Sequence, residues 1–104
     1  MALLAVTLVL LHGVVTRGPT KPVCEMTAPC SEPAAHVKLV FHRPGADVVV
    51  LTDARGRYSV RLRRGTYTVR ISPVPRIGRG IEPATVAVRA ATVRADFLID
   101  TGIR

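Results

Sequence analysis

TDARGRYSVRLRRGTYTVRI, residues 52–71, alternates apolar and polar residues almost without a break. Successive side chains on a strand point to opposite faces. Tyr58, Val60 and Leu62 therefore share one face of a first arm, and Tyr67, Val69 and Ile71 form the matching face of a second. Arg57, Ser59, Arg61, Arg63, Thr66, Thr68 and Arg70 fall on the other side. The RRG at 63–65 is read as the reversal, with Gly65 in the left-handed position, so the stretch is predicted to be a β-hairpin. Full burial of each inward residue contributes about 1.5–3 kcal/mol. The arginines then face water.

The same rhythm extends on either side. HVKLVFHR, residues 36–43, puts Val37, Leu39 and Phe41 on one face and Lys38 and His42 on the other. RPGA is a turn signal, and DVVVLT after it is continuously apolar, as expected of a strand covered on both sides. In DARG, the Asp53 carboxylate can cap its own backbone. SPVPRIGRGIEP, residues 72–83, has no strand pattern and is expected to be a long loop of the kind where recognition takes place. ATVAVR and TVRADFLID resume the alternation, with Val86, Val88, Val93, Ala95, Phe97 and Ile99 inward. No helical period occurs outside the first residues. The fold class is therefore all-β: a small antiparallel β-sandwich of about six to seven strands, preceded by an apolar signal-type segment.

That first segment, residues 1–18, is apolar from Ala2 to Leu11 apart from Thr7 and continues to Val15. It suits a signal-peptide core and is short of the 17–25 residues of a membrane-spanning helix, so no stable anchor is expected after processing. No basic residue precedes the apolar run and no Ala-x-Ala triplet follows it. Residues 19–35 then form a Pro-rich arm, and residues 36–104 the sandwich. CEMTAPC places Cys24 and Cys30 six positions apart, which in an exported protein reads as a disulfide worth about 2–2.5 kcal/mol. Cys24, Cys30, His36 and His42 also make up a zinc donor set. Their spacing opposes it, because zinc ligands pair two to four residues apart and a strand would hold the two histidines about 20 Å apart. No metal and no cofactor is expected.

The chain has 104 residues, the length of one domain, and a formal charge of +8. Thirteen of its fifteen basic residues are arginine. Such a charge attracts polyanions, and it also follows from a GC-rich coding sequence. The candidate anion-binding residues are Arg57, Arg61, Arg63 and Arg70 on the predicted hairpin, with Arg76 and Arg79 in the long loop. Nucleic-acid binders interleave such charges with exposed aromatics, whereas both tyrosines here point inward, so nucleic acid is not an expected partner.

The residues at 52–71, with PATVAV and VRADFLI after them, resemble the carboxypeptidase regulatory-like domain of the transthyretin-like (prealbumin-like) sandwiches. Thr52, Asp53, Gly56 and Tyr58 match a T-D-x-x-G-x-Y turn, and Leu62, Gly65 and Tyr67 match an L-x-x-G-x-Y turn. The likeness covers roughly Val37 to Ile99. It implies a noncatalytic accessory module that docks on, stabilises or presents other domains. A related branch hydrolyses 5-hydroxyisourate with histidines and a Tyr-Arg-Gly-Ser ending. Residues 101–104 here read Thr-Gly-Ile-Arg, so that activity is not expected.

No other reactive pattern stands out. The seven carboxylates are scattered and form no inward acid/base pair, and no serine lies in a nucleophile elbow. The reading is an exported, secreted or envelope-located β-sandwich that binds an unknown protein or envelope polymer, or is structural. The alternative is an envelope protein that holds anionic polymers or lipid headgroups through the arginine-rich hairpin face.

Overall fold

The computed structural model describes residues 8–18, 31–72 and 80–100. These residues form ten strands and no helix: β1 (Leu8–Gly18), β2 (Glu32–Pro33), β3 (Lys38–Arg43), β4 (Ala46–Leu51), β5 (Arg57–Arg63), β6 (Gly65–Ser72), β7 (Gly80–Glu82), β8 (Thr85–Val88), β9 (Thr92–Arg94) and β10 (Phe97–Asp100). The smaller sheet has the order β4-β3-β6-β8, all antiparallel. The larger sheet is organised around β1. Leu8 to Val14 pair with β5, and Leu10 to His12 pair on the other side with β9. Val15 to Gly18 pair with β10, and Thr16 and Arg17 with β2, while β7 lies beyond β10. Pairings of β1 with β9 and β10 are parallel and the rest are antiparallel. The all-β sandwich expected from the alternation is the fold. It is divided more finely, because one long strand serves several short ones.

The sandwich does not begin at residue 36. Leu8–Gly18, set aside above as a leader, is its longest strand, and Val9, Leu11 and Val15 are completely buried. A run that is apolar on both faces satisfies a signal-peptide pattern and a central strand equally, and hydropathy alone does not separate them. Part of the arm also belongs to the fold, since Ala34 is buried and its N–H donates to Val15 O at 2.8 Å.

The hairpin predicted at 52–71 does not form. β5 pairs with β1 in the larger sheet, whereas β6 lies between β3 and β8 in the smaller one. Arg64 carries the chain across, and Gly65 (φ 153) enters β6 directly. Alternation specifies which side chains turn inward, and that part is observed: Tyr58, Leu62, Tyr67, Val69 and Ile71 are buried. Two apolar faces can be buried side by side or opposite each other, and here they face each other across the core.

Phe41 from the smaller sheet meets Tyr58 and Phe97 from the larger, with ring centroids 5.8–6.2 Å apart in tilted pairs. The apolar run at 47–52 is an edge strand, not a doubly covered one. Val48 and Val50 pack on the core, while Val49 and Leu51 are 53% and 60% exposed. The stretch expected to be wholly loop contributes β7, and residues 73–79 lie outside the described residues. Asp100, the last residue of β10, is buried.

Candidate functional site

The residues of the T-D-x-x-G-x-Y match are occupied by the fold itself. Thr52 Oγ1 donates to Ala34 O and accepts from Val37 N–H at 2.8 Å, which ties the arm to β3. Asp53 Oδ1 accepts from the N–H groups of Arg55 and Arg57 at 2.8 and 2.9 Å. Those bonds, that of Arg57 foremost, hold the Asp53 carboxyl below the usual carboxylate range. Gly56 has φ +76, and a Cβ there would lie 2.4 Å from Val15 O, so only glycine fits. Tyr58 donates to Ala95 O at 2.5 Å, and burial, with the nearby Asp96 charge second, pushes its phenol upward. In the second motif, Tyr67 donates to Arg63 O at 2.7 Å.

Asp96 has a similar structural task. Between β9 and β10 the backbone ladder to β1 is interrupted, and Asp96 Oδ1 accepts the Val14 N–H at 2.9 Å. That bond, more than the neighbouring Arg94 and His12 charges, lowers its pKa. Gly13 sits opposite the break, where a Cβ would lie 2.0 Å from Ala95 O. Backbone therefore approaches β1 too closely there for any side chain.

The candidate anion-binding residues do not form one surface. Arg57, Arg61 and Arg63 are on the outer face of the larger sheet, and Arg61 and Arg63 stand opposite Leu10 and Leu8. Arg70 is on the outer face of the smaller sheet, opposite Val40, so the two groups look away from each other. The arginine-rich hairpin face is thus corrected along with the hairpin. Arg57 is also engaged, with its Nε 3.1 Å from Asp53. Arg76 and Arg79, and the cysteines Cys24 and Cys30, lie outside the described residues. His36 occupies a turn with φ +56, and His42 contacts Asp47 on the outer face of the smaller sheet. No group of three or more metal-ligating side chains occurs among the described residues.

What the structure does bring together is Arg43, Arg61 and Arg63. They frame a cleft of about 490 Å³ at the edge where β4 passes β5, with Leu62, Tyr67 and Val48 inside it. The Arg43 guanidinium lies 5.8 Å from the Tyr67 ring centroid, and its Nη1 donates to Arg64 O at 3.3 Å. No Asp or Glu is among the described lining residues. Arg43 was not singled out in the sequence, although a signal was present. Val37, Leu39 and Phe41 are the inward row of β3, and residue 43 is the next position in it. An arginine in a core-facing row is out of pattern, and such places are where function is sought.

In comparisons with protein-family models, with curated proteins and with solved structures, nothing matched this chain.

Proposed function

We propose that this chain is a noncatalytic β-sandwich module with a binding or structural role, in the manner of the carboxypeptidase regulatory-like domains that residues 52–71 resemble. One observation supports the reading above all. The polar residues of the two motifs, Thr52, Asp53, Tyr58 and Tyr67, spend their hydrogen bonds on the backbone of the fold. Their spacing then reports a structural requirement, that of a corner between two sheets. The basic groups at the surface favour attachment over proton transfer, since a guanidinium stays protonated at physiological pH.

The two cysteines keep an oxidising compartment, the cell envelope or its exterior, in the proposal. Export would then have to leave residues 8–18 in place, because that strand is the centre of the larger sheet. Cell fractionation with intact-mass measurement tests both points. The expected species is envelope-associated or secreted, keeps residues 8–18 and is two protons lighter than the dithiol. A cytosolic, fully reduced pool would refute export. Loss of the first 18 residues from a folded product would refute the structural role of β1.

A further inference from the structure

We propose that the cleft framed by Arg43, Arg61 and Arg63 is a binding site for a small phosphomonoester, with the phosphate among the guanidinium groups and its apolar substituent along Tyr67 and Val48. This goes beyond the module reading above, which names no ligand, and does not depend on it.

Charge is the first argument. Three arginines from two sheets line one cleft, without a carboxylate among its described lining residues. Elsewhere the described structure balances several of its arginines: Arg57 faces Asp53, Arg94 faces Asp96, and Arg17 lies 3.9 Å from Glu32. Arg61 and Arg63 have no ion-pair partner among the described residues, and Asp47, between the lining residues Ala46 and Val48, is turned to the opposite face to meet His42. A bound dianion would supply the counter-charge that the described lining lacks.

Shape is the second. Arg43 ends the inward row of β3, so its guanidinium sits at the open end of the core against the face of Tyr67. Beside the Arg43 guanidinium the cleft wall is therefore apolar and aromatic, and Leu62 and Tyr67 are both buried. A volume of about 490 Å³ matches small-molecule sites, which run from roughly 300 to 1,000 Å³. Guanidinium forks suit the tetrahedral oxyanion geometrically, because each presents paired N–H donors to two oxygens. A long anionic polymer would need a continuous basic track, whereas Arg70 lies on the outer face of the smaller sheet, away from the cleft.

Titration calorimetry and amide-resonance NMR at constant ionic strength test the site, with phenyl phosphate, inorganic phosphate and phenol as probes. Phenyl phosphate is expected to bind saturably, one per chain, more tightly than inorganic phosphate, with shifts confined to residues around 43–48 and 61–67. Arg61→Gln and Arg63→Gln, at exposed positions outside the core, should each weaken it on the order of tenfold. Arg70→Gln should leave it unchanged. Arg43→Gln should weaken it similarly, and Arg43→Lys, which keeps the charge, only partly restores it. Non-saturating shifts, an equal loss with Arg70→Gln, or phenol binding as well as phenyl phosphate would each overturn the proposal. So would heparin binding that displaces phenyl phosphate and depends equally on all four arginines.

Discussion

Strands β1 and β6 hold equivalent places in their sheets, each with neighbours on both sides and alternate residues buried. Their sequences nevertheless look unlike. In β6 the outer row is Thr66, Thr68 and Arg70, and the strand declares itself by alternation. In β1 the outer row is Leu8, Leu10, His12, Val14 and Thr16, so it is apolar at three of five positions and the inner and outer rows look alike at its start. The difference lies entirely in the row that faces away from the core. A strand is recognisable by its period only when its wet side is polar.

Breaking the centre of β1 should have the largest effect. Gly13→Val forces side-chain atoms into the backbone of Ala95, and removal of residues 1–18 takes away the strand that four others pair with. Either change is expected to abolish cooperative unfolding, since a domain has only about 5–15 kcal/mol to lose. Far-UV circular dichroism with thermal melts would show it. A truncated chain that melts like the full one would return β1 to the status of a dispensable leader.

Next come the two rows of β1 compared directly. Leu11→Ala, on the inner row, should cost about 2–5 kcal/mol in urea unfolding. Leu10→Thr gives β1 the kind of outer row that β6 already has, and should cost no more than about 1 kcal/mol. Equal costs would mean that the outer face of the larger sheet is covered in solution.

Tyr58→Phe leaves Ala95 O without its donor and is expected to cost about 1–2 kcal/mol. The Tyr58 phenol has a raised pKa in the fold, so its contribution is whole below the ordinary tyrosine value of about 10 and fades as pH climbs through the folded value. Ultraviolet titration should find the Tyr58 phenol ionising above the ordinary tyrosine range, a step that Tyr58→Phe removes. Asp53 and Asp96 work in the opposite direction. Both are lowered, so their support is present above the unfolded carboxylate value of about 3.9 and is lost as pH falls through their folded values. Stability should therefore be level from pH 7 to 5 and decline below about 4. Asp96→Asn should flatten part of that decline.

How much of this was legible follows from what period two encodes. It gave the fold class, and it placed Tyr58, Tyr67, Phe41 and Phe97 in the core, because inward and outward are local properties of a strand. It could not say that β5 and β6 belong to different sheets, since pairing is decided by partners such as β1 and β3 that are distant in sequence. The arginine surface was misread for the same reason. Arg61 and Arg70 are near in sequence, yet the crossing at Arg64 sends them to opposite faces. Arg43 was the reverse case: its position in the inward row was readable, but its meeting with Arg61 and Arg63 required the fold.

The parallel neighbours β1 and β10 have a mechanical consequence. Four residues of each, Val15 to Gly18 and Phe97 to Asp100, run side by side in the same direction. Tension applied at Leu8 and at Asp100 would slide one along the other, so the cross-links between them must give way together instead of opening one at a time like a zip.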